Sequence, residues 1–222
     1  MMNETVLDLM KLRKSAREFE PYVATTAEIS AIVEGARRAP SSKNTQPWKL
    51  LLLQGETLAR LRESLCKKFD GGEAPAPELE ASVLPQYRRR AVELGKSLFI
   101  YKGIAREDKE ARRLHDRANF EFFNAPQVFA LGVDREAYHS GTLVDCGIFL
   151  GYLLLAIEAA GFMSCPQMSP LIYPQCFKET LPEVDGTLFL CVVPFGKPLP
   201  GSHVNAFETT REEAEVWFRQ LK

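Results

Sequence analysis

Histidine is scarce: three residues in 222, at positions 115, 139 and 203, with long stretches of chain between them. No His or Cys pair has metal-ligand spacing, and there is no H-E-x-x-H, so a zinc centre is not expected. The five cysteines (66, 146, 165, 176, 191) are odd in number, lack C-x-x-C spacing, and include two that lie in apolar runs. They read as buried or free thiols of a reducing cytoplasm, and nothing specific supports a Cys165–His203 nucleophile. A nucleophile elbow G-x-S-x-G, a P-loop and a G-x-G-x-x-G after a strand are all missing, which sets aside three common enzyme classes. Charge of one sign is missing too: a formal net charge of -1 gives no field to draw in nucleic acid or an acidic membrane. The longest apolar run, Cys146 to Ile157, is bounded by Asp145 and Glu158 and falls short of the about 20 residues that span a bilayer. Met1-Met2-Asn3-Glu4 does not open a signal peptide. With no repeat and no internal boundary, one domain over residues 1–222 is expected.

Two polar, proline-bounded loops stand out. Pro40-Ser41-Ser42-Lys43-Asn44-Thr45-Gln46-Pro47-Trp48 lies between an amphipathic helix ending near Ala39 and a buried strand, Leu50 to Leu53. Its prolines lack an N–H and its short polar side chains compete for backbone hydrogen bonds, so it extends neither neighbour. It is either a connecting turn whose Trp closes the core or a cradle for a polar ligand beside a flat aromatic surface. The second loop is Ser164-Cys165-Pro166-Gln167-Met168-Ser169-Pro170. Near the N-terminus, Arg13-Lys14-Ser15-Ala16-Arg17 puts three cations and a serine in five residues. Such a set can gather around a phosphate, or can simply complement a helix end. Arg88-Arg89-Arg90 reads as a solvated helix face.

Helices are predicted over Val6 to Leu12, from Thr25-Thr26-Ala27-Glu28 (capping-box spacing) to Ala39, over Glu56 to Phe69, Gln86–Tyr101, Arg106–Phe122, Thr142 to Ala160 and Pro174–Thr180, and from Thr210 onward. In the second, Ile29, Ile32, Val33 and Ala36 form the inward stripe. Strands are predicted at Pro126 to Val133 and Thr187 to Pro194, and a mobile loop over Glu73 to Pro85. Phe99, Tyr101, Phe120, Phe122 and Phe123 look too many for a surface; core packing is the default, and some can line a pocket. The 142–160 helix is apolar nearly all round and belongs at the centre of the fold or between subunits, with small residues at Gly147, Gly151 and Ala156 for close approach and Gly161 to end it. Strands among many helices make the fold α+β or α/β. Polar loops and cations without an evident acid, base or metal suit chemistry carried by a bound cofactor.

In this order, the motifs resemble the FMN-dependent nitroreductases, and within them the branch that includes nitrobenzoate reductases. The resemblance rests on Arg13-Lys14-Ser15-x-Arg17-x-Phe19, Ala39-Pro40-Ser41-Ser42-x-Asn44-x-Gln46-Pro47-Trp48, Asn119-x-x-Phe122-Phe123-x-Ala125-Pro126, Asp145-x-Gly147-x-Phe149-Leu150, Gly161-Phe162-x-x-Cys165-Pro166-Gln167, and Gly196-Lys197-Pro198 with Asn205 and Thr210-Arg211. It covers nearly the whole chain. Lys14 departs from the commoner Arg, and Met163-Ser164 from the usual residues before Cys165.

The resemblance implies an α+β fold with a mostly antiparallel central sheet packed by helices, assembled as an intertwined homodimer with FMN at the interface. By the same resemblance Arg13, Lys14, Ser15 and Arg211 hold the phosphate or ribityl chain, and Arg17 lies near the N1/O2 edge of the flavin ring. Pro40, Ser41, Ser42 and Asn44 come from the partner subunit; Pro166, Gln167, Met168 and Ser169 run along the other edge with backbone N–H groups near N5 and O4. NADH or NADPH is the implied donor in a ping-pong cycle, a nitroaromatic or similar small molecule the acceptor, and no side chain is formally catalytic. The Phe99–Phe123 region is the implied acceptor lid. The alternatives are a quinone, flavin or enone reductase on the same scaffold, or a flavin-binding redox protein without turnover. No nucleic-acid or membrane partner is implied.

Overall fold

Four strands form the sheet: β1 (Trp48–Gln54), β2 (Gln127–Asp134), β3 (Met163–Ser164) and β4 (Thr187–Gly196), in the order β1-β2-β4-β3 with every neighbour antiparallel. The computed structural model describes residues 6–79 and 84–221. Among the described residues the chain has eight α-helices: α1 (Val6–Leu12), α2 (Thr26–Ala36), α3 (Gly55–Asp70), α4 (Pro85–Tyr101), α5 (Lys109–Phe120), α6 (Ser140–Ala159), α7 (Pro174–Thr180) and α8 (Ala214–Trp217).

The sheet is covered on both faces, which is why its central strands are continuous apolar runs rather than alternating ones. On one face Phe129, Leu131 and Val133 of β2 and Val193 and Phe195 of β4 meet Ile32 and Ala36 of α2 and Phe149, Leu153 and Ile157 of α6. On the other, Val128, Ala130 and Val192 meet Leu58, Leu61 and Leu65 of α3, with Phe120 and Phe177. The two-residue period of a strand sends neighbours to opposite faces. A bulge at Leu131/Gly132 shifts the β2–β4 register.

Several expected boundaries move, each for a local reason. The α2 capping box forms as predicted, Thr25 Oγ1 accepting from Glu28 N–H and the Glu28 carboxylate from Thr25 N–H. Val33, however, is 36% exposed: α6 covers only the Ile32–Ala36 side. α5 starts at Lys109, where the Asp108 carboxylate accepts from Ala111 N–H at 2.9 Å. It ends at Phe120 because Phe122, Phe123 and Asn124 take left-handed backbone angles, φ 53°, 53° and 55°. α6 starts at Ser140, capped by His139 through Nδ1, which accepts from Gly141 N–H at 3.0 Å. It ends as expected at Gly161, φ 75°, with Phe162 N–H donating to Ile157 O at 3.1 Å.

Two expectations are corrected more strongly. The helix predicted from Thr210 shrinks to Ala214–Trp217: residues 208–221 are exposed, and an unpacked short helix is marginal in water. Residues 73–79 of the predicted mobile loop are tied down, with Ala76 N–H donating to Ile172 O and Tyr173 hydroxyl to Glu73 O, both at 2.9 Å. Residues 80–83 of that loop lie outside the described ones. α6 answers both halves of its reading: one face is core, while Leu143, Val144, Ile148 and Tyr152 are exposed, Val144 by 63%. Gly147 and Gly151 have open space where a Cβ would stand; Ala156 alone meets another backbone, that of Gly35.

Candidate active site

After α1 the chain runs extended along the edge of the sheet. Ser15 bridges Ser164 in parallel, Ala16 N–H donates to Ser164 O at 3.1 Å, and Phe19 bridges Pro198. Ala16 is fully buried, so alternation turns the flanking Ser15 and Arg17 the other way, into a cleft of about 1450 Å³. Arg13, Lys14, Ser15, Arg17 and Arg211 all line this cleft, as do Arg89 and Arg90 of α4. Part of the basic run read as a solvated face therefore belongs to the cleft wall, where Arg90 pairs with Glu212 at 2.6 Å. Arg211 donates to its own loop, at the carbonyls of Thr209 (3.3 Å) and Thr210 (2.9 Å). Among the described residues Arg13, Lys14 and Arg17 form no salt bridge, although Glu93, Glu208 and Glu212 line the same cleft.

Arg17 is held by a residue whose role sequence reading missed. The Asn205 side chain, 6% exposed, accepts from Arg17 N–H at 2.7 Å and Glu18 N–H at 3.2 Å and donates to Glu18 O at 2.7 Å. The guanidinium donates to Ser15 O at 3.4 Å and lies 5.8 Å from the centre of the Phe123 ring.

The 166–169 loop adjoins this edge. Pro166 has no N–H and that of Gln167 is committed to Val192 O at 2.8 Å, which leaves Met168 and Ser169 as the N–H groups of the loop. The expected row of N–H donors is shortened accordingly. Gln167 Nε2 donates to Asn119 Oδ1 at 2.9 Å, and Asn119 in turn donates to the carbonyls of His115 (3.4 Å) and Asp116 (3.0 Å), which fixes both amide orientations. Among the described residues the buried Gln167 Oε1 has no hydrogen-bond partner, and such a group costs about 1–3 kcal/mol if unsatisfied. Met168 and Ser169 line a second, apolar pocket of about 330 Å³ with Leu79, Ile172 and Phe177.

Pro40, Ser41, Ser42 and Asn44 do not line the main cleft. Their loop is anchored at α6 by Ser42 N–H, which donates to the buried Asp145 at 3.0 Å, and it stores left-handed angles at Lys43, Asn44 and Gln46. Trp48 stacks on Phe149 at 4.7 Å between ring centres and packs against the core while remaining partly exposed. Of the aromatics expected to pack in the core or line a pocket, Phe120, Phe122 and Phe123 are buried, Phe120 stacked on Phe69, while Phe99 and Tyr101 remain half-exposed.

Titration adds no general acid or base. Burial holds His115 down to about 4, with Lys102, Arg17 and Arg112 pushing the same way, so the ring is neutral near pH 7. Burial raises the Cys165 thiol, and His203 is stacked on Tyr101, so nothing here assembles the Cys165–His203 pair considered from sequence. No group of three or more His, Cys, Asp or Glu among the described residues could hold a metal.

A family model described as "Nitroreductase family" matches residues 10–197. The chain belongs to the nitroreductase family. Among curated nitroreductases it is 30% identical to a 4-nitrobenzoate reductase of Pseudomonas putida, over 91% of this chain and 89% of that one. Nitroreductase NfnB of Mycolicibacterium smegmatis is 29% identical over 91% and 87%. A solved structure of the FMN-dependent nitroreductase NfnB from Mycobacterium smegmatis, in complex with NADPH, aligns with a TM-score of 0.90 at 26% identity, covering 96% of each chain. The FMN- and NADPH-dependent NfnB of sphigopyxis sp. strain HMH, at 23% identity and a TM-score of 0.91 over 98% and 99%, shares the fold. This nitroreductase-family chain thus has the α+β architecture with an antiparallel sheet that its motifs implied.

Proposed function

We propose that residues 1–222 form a single FMN-binding unit of a homodimeric NAD(P)H oxidoreductase that reduces nitroaromatic or similar small acceptors. The observation that carries this is the cleft wall of Arg13, Lys14, Ser15 and Arg17, whose three cations have no carboxylate partner among the described residues. That donor set fits FMN. Arg13 and Lys14, with Arg211 once its guanidinium turns from its own loop, neutralise the phosphate, and the Ser15 hydroxyl adds a hydrogen bond. When bound, FMN supplies the redox chemistry, exchanging a hydride at N5 with a nicotinamide donor and then an acceptor that occupy one place in turn.

The chain's own residues bind and orient. Arg17, its backbone locked by Asn205, brings a fixed positive charge to the pyrimidine edge of the ring, where charge gathers on reduction. Pro166, Gln167, Met168 and Ser169 border the other edge, with N–H groups at Met168 and Ser169. Pro40, Ser41, Ser42 and Asn44 serve the partner's cleft. The reading is supported by their attachment to the start of α6, whose exposed Val144, Ile148 and Tyr152 are the surface on which a second copy packs. Five buried free thiols suit a reducing cytoplasm.

An anaerobic absorbance spectrum of the purified protein loaded with FMN tests this directly. Bleaching of the flavin bands within seconds of adding NADH or NADPH, and their return with a nitroaromatic, is expected. Protein that cannot be loaded with FMN, or bands that persist with both nucleotides, would overturn it.

A further inference from the structure

The cleft is larger than one cofactor needs. Sites for a single small ligand run to about 300–1,000 Å³, whereas this one holds about 1450 Å³. The FMN reading draws on the wall of Arg13, Lys14, Ser15 and Arg17. The rest is bordered by α4 and by residues 207–212, which follow the 3-10 turn Val204–Ala206. On α4, Arg89, Arg90, Glu93, Leu94 and Ser97 recur at helical spacing along one face, and Arg88 does not line the cleft. The largest molecule the reaction brings in is the dinucleotide donor, and its charged groups are all phosphates.

The two arginines of this face differ in what holds them. Arg90 is engaged: it pairs with Glu212 at 2.6 Å and lies 5.6 Å from the centre of the Tyr87 ring. Arg89 has Glu93, one turn on, at 3.8 Å, beyond hydrogen-bond reach, and its side chain is 70% exposed. Among the described residues it donates no hydrogen bond. A loose, exposed pair of this kind holds its partners weakly, so a fork of five N–H donors stands open on the cleft wall. Seven Lys and Arg side chains line the cleft against three Glu, a surplus that exceeds the charge of about −2 on the one phosphate of FMN.

We infer that Arg89 receives the 2′-phosphate of NADPH and makes NADPH the preferred donor. A phosphate monoester presents three acceptor oxygens, which the planar guanidinium meets with two parallel N–H···O bonds. NADH has a ribose hydroxyl at that place and leaves the fork unpaired. An arginine near the ribose is a general means by which dinucleotide sites accept the 2′-phosphate. Arg89 is then a specificity-determining residue: it touches the donor far from the nicotinamide and takes no part in hydride transfer. The inference rests on the FMN reading above.

The test uses oxidised, FMN-loaded protein and two readouts. Calorimetric titration compares adenosine 2′,5′-bisphosphate with adenosine 5′-monophosphate, probes that differ only in the 2′-phosphate; anaerobic flavin bleaching compares NADPH with NADH. The parent is expected to bind the bisphosphate at least tenfold tighter and to be bleached by NADPH faster by a similar factor, the gain of a charge-assisted pair. Arg89→Gln is expected to abolish both preferences, with the NADH rate within twofold of the parent. Arg89→Lys, a point charge without the fork, is expected to fall between the two. Arg88→Gln, beside the cleft but outside its lining, is expected to match the parent, which separates contact from the general field. A 2′-phosphate preference that survives Arg89→Gln, an equal loss with both donors, or a parent without preference would overturn the inference and leave the FMN reading intact. Parent protein that cannot be loaded with FMN would sink that reading and this inference with it.

Discussion

The Asn205 amide meets the backbone of Arg17 and Glu18 at three points, across 188 residues of sequence. Truncating it leaves the N–H groups of Arg17 and Glu18 without their acceptor in a part-buried setting, while the Glu18 carbonyl keeps the Leu199 N–H at 3.1 Å. Asn205→Ala is therefore expected to cost about 2–3 kcal/mol in urea unfolding and to weaken FMN binding at least tenfold by fluorescence titration. An unchanged FMN affinity would separate Arg17's position from the site. At this scale the legible part of the site was the part contiguous in sequence. Arg13, Lys14, Ser15 and Arg17 advertise an anion because like charges rarely crowd without reason. Asn205 does not: a lone polar residue reads the same on a solvated turn as in a keystone contact, and only the fold tells which backbone it meets. Phe122 and Phe123 misled for a related reason, since three successive left-handed residues are seldom expected without glycine.

Among elements, strands and helix centres were readable because burial on both faces of the sheet leaves continuous apolar runs, and the α2 cap has its own signature. Ends were less so. α6 begins with a histidine cap, which no ordinary capping pattern announces, and α8 lacked the packing that propensity presupposes. The bulge in the β2–β4 pairing was equally silent. There Gly132 leaves no room: a Cβ would stand 2.7 Å from both the Leu188 carbonyl oxygen and the Thr187 methyl. Gly132→Ala is expected to force the strands apart and to lower stability by about 1–3 kcal/mol, read as a fall in Tm by calorimetry. A Tm equal to that of the parent would mean the register can relax without cost.

For the whole molecule, the consequential feature is the bare side of α6. Its all-round apolarity was legible, and so was the pair of destinations it allowed; which residues face which way required the packing of α2. For the homodimer proposed above, packed through this side, Ile148→Lys is expected to give a monomer in analytical ultracentrifugation and to release FMN, with far-UV circular dichroism unchanged. A dimer that tolerates the lysine would place the subunit contact elsewhere.

The turn at Val204–Ala206 also sets an order of events in time. Synthesis makes Arg17 188 residues before Asn205, so a nascent chain carries the Arg13–Arg17 cations before it can fix the Arg17 backbone. Local helices such as α3 can form while translation continues, but the longest-range contacts of a fold close late. The Arg17 backbone is thus fixed only once the chain has reached the Val204–Ala206 turn.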